Sequence, residues 1–292
     1  MISKYLNPYT DFGFKKLFCE ENSSRDLLID FLNQLLPPHH RIAELAFRNT
    51  EHLPGIALEW RAVFDIFCTG VNGERFIVEM QKVNTPYFQD RSLFYVSLPI
   101  GEQDKEGQEW LFQLCAVYFI AILDFEYDEK EEKRRFLREI ALRGQDGALF
   151  SDKLHFKFLQ MPLFQKQGHE LETHFDKWVY FLKNLPDLDH IPPILDEPIF
   201  QKAFQIAEVA GLSLEQYTAY EYSLLDYWTI QATQAAIDTA RDEGREEGRK
   251  EGKRKEEEKT KKSIAIALKR DGLPPEHIER ITGLASDAIA AL

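Results

Sequence analysis

Apolar residues return every three or four positions near the start of the chain. Phe14, Leu17 and Phe18 make one such face behind Thr10, a residue that caps helices. Leu27, Leu28, Phe31, Leu32, Leu35 and Leu36 make a second, opened by Ser23 or Ser24 and stopped by Pro37-Pro38. Ile42 to Arg48 then predicts a strand. Between Ala62 and Lys82 (AVFDIFCTGVNGERFIVEMQK) two apolar runs flank Val71-Asn72-Gly73, which predicts a β-hairpin. A helix is expected from Tyr87 to about Ile100. Leu111 to Phe125 is nearly all apolar, and its second half, AVYFIAILDF, predicts a central buried strand. Arg135 to Leu142 and Leu154 to Met161 predict further strands. Helical spacing dominates afterwards, over 172–185, 199–210 and 214–240. Two helices, a hairpin, a helix, more strands and then helices predict an α/β or α+β sandwich rather than a Rossmann fold.

Each strand of the hairpin carries one acid where burial is expected: Asp65 between Phe64 and Ile66, Glu79 between Val78 and Met80. A buried carboxylate is costly unless it has a partner. A two-residue loop would pair Asp65 with Met80 and send Glu79 to the other face. A three-residue loop with Gly73 left-handed pairs Asp65 with Glu79 and Phe67 with Ile77. The second register is preferred, because one shared polar site is easier to satisfy than two. Gln81 follows Glu79 on the same face. Opposed carboxylates repel, and a divalent cation would relieve them. The other reading is ionic, with Glu79 paired to Arg61, Arg75 or Arg91.

Composition narrows the picture. A chain of 292 residues with 44% hydrophobic residues and 22 Phe can bury a large core. Cys19, Cys68 and Cys115 are odd in number and in no paired motif, and read as reduced core residues of a cytosolic protein. The opening residues lack an apolar signal core, and the Trp110–Phe125 window is too short to span a bilayer, so no membrane partner is expected. A net charge of −13 argues against broad adhesion to nucleic acid but leaves room for a local cationic groove. HExxH, paired CxxC and GxSxG are absent. The Gly248–Lys253 stretch is one residue short of a phosphate loop, and the spacings of His39, His40, His169 and His174 do not make a zinc site.

Residues 241–262 form a charged tract with Gly244, Gly248 and Gly252 four apart. A solvated helical linker is favoured over a self-association stripe. Residues 263–292 read as three short helices broken near Gly272 and turned at Gly283, like a helix-turn-helix. The last of them, SDAIAAL, has no basic or amide side chain for base edges, so packing or homo-oligomerisation is favoured over sequence reading.

The combination resembles the PD-(D/E)XK nuclease superfamily, in particular the Rpn-type recombination-promoting nucleases and transposases. The resemblance rests on Asp11-Phe12-Gly13-Phe14-Lys15-Lys16-Leu17-Phe18, the Asp65 strand, Phe76-Ile77-Val78-Glu79-Met80-Gln81, Arg91 with Tyr95, the VYFIAILDF strand, the EGREEGRKEG tract and Ile281-Thr282-Gly283-Leu284. It implies an α/β fold, a restriction-endonuclease-like core with a mixed central sheet flanked by helices, followed by a helical C-terminal region. It also implies a nuclease-like core over 1–165 and a helical extension packed on it over 166–240, ahead of the linker and tail. The implied activity is magnesium-dependent hydrolysis of DNA phosphodiesters in a bacterial cytoplasm, linked to recombination or transposition, with Mn²⁺ able to substitute. A catalytically inactive DNA-binding accessory protein of the same fold is the alternative, and a pure assembly protein a third. Asp65 and Glu79 match the two acids that hold the metal. Gln81 stands where the superfamily has lysine and is expected to orient water or contact phosphate. Asp11 is either an outer contact of the site or a first-turn helix acid. Arg91 either holds a DNA phosphate or neutralises Glu79, and Tyr95 is expected in the core.

Overall fold

In a computed structural model, the structure describes residues 3–20, 23–48, 64–103, 113–127 and 135–292. Two helices open the chain, α1 (Asp11–Phe18) and α2 (Arg25–Asn33). Thr10 caps α1 as expected, its side chain accepting from the backbone N–H of Gly13 at 3.0 Å. The strands are β1 (Leu45–Phe47), β2 (Ile66–Gly70), β3 (Arg75–Gln81), β4 (Val117–Leu123), β5 (Leu137–Ala141) and β6 (Leu154–Gln160). They form one mixed sheet in the order β1-β2-β3-β4-β6-β5. Its middle, β3-β4-β6, is parallel, and both flanks are antiparallel.

Every residue of β4 is buried, as its unbroken apolar run requires of a strand covered on both faces. One face of the sheet, through Ile66, Phe76, Val78 and Ile120, packs on α1, α2, α4 (His174–Asn184) and α5 (Pro198–Ala207). The other, through Phe67, Ile77, Phe119 and Phe158, packs on α3 (Phe88–Gly101). The aromatic centre of the first layer is Trp178, fully buried among Phe18, Phe31, Phe181 and Phe200, with ring centroids 5.0–6.0 Å away.

The hairpin has the three-residue loop. Phe67 faces Ile77, Ile66 faces Val78, and the Gly70 N–H donates to the Glu74 carbonyl at 2.9 Å, which leaves Val71 to Gly73 as the connection. Gly73 has φ of 89°, a conformation that glycine adopts without strain.

Gly13 is required for a different reason. A Cβ on it would lie 2.1 Å from the carbonyl oxygen of Asn7, because the turn before α1 crosses close to the helix. Gly13→Ala is therefore expected to push α1 away from that turn. The cost should be on the order of 1–3 kcal/mol, read as a lowered urea midpoint with an unchanged m-value. A midpoint equal to wild type would mean the turn yields freely.

The chain divides into two compact units, Met1–Gln231 and Ala232–Leu292. The expected helix from 214, the helical linker over 241–262 and the helix from Ser263 run together as one helix, α6 (Leu214–Arg270). Its glycines do not break it. The i,i+4 pairs Glu246–Lys250, Glu251–Lys255 and Glu258–Lys262 offset their helix cost. In the second unit the end of α6, α7 (Pro275–Thr282) and α8 (Ser286–Ala290) enclose Ala265, Ile278 and Ile289, with turns at Gly272 and Gly283. No helix among the described residues is long and apolar enough to cross a membrane. Of the three free cysteines only Cys68 is fully in the core; Cys19 and Cys115 are half-buried.

Candidate active site

The sequence drives the hairpin's two acids into contact, because the register set by the loop places Asp65 across from Glu79 just beyond the last ladder pair. The Met80 N–H donates to Asp65 Oδ2 at 2.7 Å, and the Asp65 N–H approaches Glu79 Oε1 at 3.4 Å. Each carboxylate thus has one oxygen tied to the backbone of the other strand and one without a hydrogen bond from any described residue. Glu79 is only 8% exposed. Burial first, and the Asp65 charge second, push its carboxyl up to about 8. Burial likewise raises Asp65. The Met80 N–H opposes that rise, Asp11 adds to it, and Lys15 and Lys82 counter it. Two carboxyls in this state hold a proton near neutrality and would give it up to a cation.

The residues fit a hard divalent ion. Among the described residues no group of three or more His, Cys, Asp or Glu converges on one point. Mg²⁺ does not need such a group, because it is commonly held by one or two carboxylates and keeps several waters. The repelling pair with two unengaged oxygens supplies that donor set.

Gln81 ends β3 with its amide already engaged. Its Oε1 accepts from Arg91 Nη2 at 2.5 Å and its Nε2 donates to the Val83 carbonyl at 2.9 Å. Arg91 lies on the α3 face of the sheet, its guanidinium 5.9 Å from the ring centroids of both Phe88 and Tyr95. Its charge lowers Glu79, but its hydrogen bond goes to Gln81. Tyr95 packs edge-on to Phe64 and is half-buried, as expected of a core residue. Of the other ionic partners considered for Glu79, Arg75 donates to Thr69 Oγ1, and Arg61 lies outside the described residues.

Asp11 sits in the first turn of α1 and forms an ion pair with Lys15, 2.9 Å from Nζ to Oδ1. Both charges are felt at Asp65, and that of Lys15 at Glu79 as well. Lys15 was legible only as part of a motif. The spacing of four from Asp11 was the signal that it lies on the same stripe. Two other residues carry no sequence cue to a role. Tyr87, 79% exposed, stands at φ of 62° immediately before α3. Asp124 follows β4, its N–H donating to the Gln81 carbonyl at 3.0 Å. The Asp124 carboxylate accepts from Tyr227 Oη at 2.8 Å and from Gln231 Nε2 at 2.9 Å. The start of α6 is thereby tied to the strand end that carries Gln81.

His40 and His174 have structural partners. His40, in a short 3-10 turn (Pro38–His40) rather than a loop, meets the Tyr118 hydroxyl, and His174 meets Asp30 at 2.6 Å.

The family model described as PD-(D/E)XK nuclease family transposase matches residues 8–238. Comparison with curated proteins and with solved structures found no match.

Proposed function

The chain belongs to the PD-(D/E)XK nuclease family transposases, and from that premise we propose that it is a magnesium-dependent DNA endonuclease acting in recombination or transposition. Its six-stranded mixed sheet between helices is the restriction-endonuclease-like fold. The observation that carries the reading is the convergence of Asp65 and Glu79 at the mouth of the hairpin, each with an oxygen to spare. These two residues hold Mg²⁺, for which Mn²⁺ substitutes. The ion, when bound, acidifies water and offsets charge on the phosphoryl oxygens.

The chain's own groups do the rest. The Met80 and Asp65 N–H groups fix how the carboxylates point. Gln81 anchors Arg91, and Arg91 takes a neighbouring DNA phosphate with its remaining N–H groups. Asp11 orders Lys15 beside the acids. In the hydrolysis a water oxygen bonds to phosphorus while the ester P–O bond breaks. Its electron pair goes to the leaving oxygen, which takes a proton from solvent as the attacking water loses one to solvent. We place this activity in a bacterial cytoplasm. The exposed Ile264, Ile266 and Ile281 of the tail support self-association.

Purified full-length protein is expected to nick supercoiled plasmid with Mg²⁺ or Mn²⁺ and to stop in EDTA. Salt-sensitive DNA binding with no nicking in either metal would instead mark an accessory protein, and self-association without DNA binding an assembly protein.

Gln81, with both ends of its amide engaged, is a positioning residue here. Losing a hydrogen bond to a charged group costs roughly 10- to 10²-fold in rate. Gln81→Ala and Arg91→Ala should each slow nicking by about that much. The double variant should be no slower than the worse single one, because both break one link. Multiplying effects would show that the two act separately.

A further inference from the structure

The family motif ends in lysine, whose place Gln81 occupies, and Gln81 has its amide committed to Arg91 and Val83. We propose that Lys15 on α1 is the missing cation of the site, contacting a non-bridging oxygen of the phosphate under attack. This rests on the nuclease reading above.

The placement comes from one stripe of α1. Asp11, Lys15 and Cys19 are four apart and lie on a common line of the helix. At the lower end, the Cys19 thiol donates to the backbone carbonyl of Asp65 at 3.9 Å, which fixes that line against the hairpin acid. At the upper end, Asp11 holds the Lys15 ammonium, at 2.9 Å from Oδ1 and 3.1 Å from Oδ2. An ammonium has three protons, so one remains for a further acceptor. Asp11, Lys15 and Cys19 also line an open pocket of about 530 Å³ with Lys16, Glu20 and Tyr222, so the Lys15 side of the helix is open to a ligand.

The electrostatics agree. Burial alone would lower the ammonium, but Asp11 outweighs it and Asp65 adds to the effect, so Lys15 is charged when substrate arrives. Its charge reaches both Asp65 and Glu79. Arg91 does not duplicate this role, since it is drawn to Gln81 between two aromatic rings. Lys15 keeps its proton throughout the hydrolysis and acts by charge alone on the phosphoryl oxygens. The Asp11–Lys15 pair is half-exposed, so exchanging part of it for a phosphate costs little.

The test uses the full chain and four variants: Lys15→Met, Lys15→Arg, Lys16→Met, and Lys15→Met with Gln81→Lys. Lys16, one residue on, lines the same pocket but is paired with Glu20 instead of Asp11. Lys15→Met is expected to slow nicking by on the order of 10²–10³ with an unchanged melting temperature. Lys15→Arg should recover part of the rate, and Lys16→Met should slow nicking much less than Lys15→Met does. Adding Gln81→Lys to Lys15→Met should recover less than Lys15→Arg does, since an ammonium returns at the motif position while the acceptor that anchors Arg91 is lost. In EDTA, Lys15→Met should lower the salt slope of duplex binding by about one.

Wild-type nicking by Lys15→Met overturns the proposal and leaves the nuclease reading intact. So does a slow Lys15→Met that neither Lys15→Arg nor Gln81→Lys improves and whose salt slope is unchanged. If wild type and Asp65→Ala alike fail to nick, the nuclease reading falls. The salt slope in EDTA then decides Lys15 as a phosphate contact, a lowered slope keeping it and an unchanged one removing it.

Discussion

Asp65→Asn and Glu79→Gln are each expected to reduce nicking by on the order of 10³-fold or more, about 4 kcal/mol of transition-state stabilisation, without destabilising the fold. Both changes are isosteric. Asn keeps the acceptor for the Met80 N–H and Gln keeps the one for the Asp65 N–H, so what is lost is charge and metal affinity. The stability consequence has a definite sign. Burial and Asp65 raise Glu79 from an unfolded value of 4.5 to about 8. Between those limits the folded state holds the proton that the unfolded state has released, so stability falls as pH rises through that window and stays low above it. Asp65, raised as well, acts in the same direction. The unfolding free energy from urea melts in EDTA should therefore fall from about pH 5 to about pH 9 by an amount on the order of a few kcal/mol for wild type and by much less for Glu79→Gln. Saturating Mg²⁺ should shrink the fall. Wild-type nicking by both variants would remove the acids from the site, and a lower midpoint for Glu79→Gln at every pH would make Glu79 a structural ion-pair residue.

Trp178→Ala is expected to lower the melting temperature by roughly 10 °C, from a loss of about 3–5 kcal/mol. Trp178 is fully buried and touches rings from α1, α2, α4 and α5, so its removal opens a void at the meeting point of four helices. Its indole N–H also donates to Asp30 Oδ2 at 2.6 Å, an oxygen that His174 Nε2 shares. Asp30→Ala should cost about 1–3 kcal/mol, because it strands that buried donor while keeping the rings. Trp178→Phe should fall between the two. A Trp178→Ala protein melting like wild type would mean that the helices close over the gap.

The acids were legible because the strand pattern and the loop fix a register between them. Phe67 facing Ile77 decides which side Asp65 and Glu79 share, and all of that is local sequence. The central strand β4 was legible from its unbroken apolar run. What α1 contributes was not. Lys15 reads as one of two adjacent lysines in an amphipathic helix, and only tertiary packing, with Cys19 against the Asp65 carbonyl, lets its charge be felt at Asp65. Gln81 shares that difficulty, since its spacing from Glu79 gives its face but not the guanidinium that occupies it. The charged tract reads as helical, and what its local spacing does not give is its continuity with the helices on either side, which ion pairs four residues apart support.

In the order β1-β2-β3-β4-β6-β5, every earlier strand lies on one side of β4 and every later one on the other. The β2-β3 hairpin can close early over its short loop, but the free edge of β3 waits for a parallel partner that comes only after α3. Distant parallel pairings form slowly. During that wait Phe76, Ile77, Val78 and Met80 stand along an open edge, the kind of apolar run through which growing chains stick to one another. Glu79 interrupts the run. In the half-made sheet its carboxyl is still hydrated and ionised at neutral pH, a charge that discourages pairing with a second chain. Glu79→Gln should accordingly refold with more aggregation than wild type even though the finished fold is no weaker, so the same carboxylate guards the sheet's edge before it serves the site.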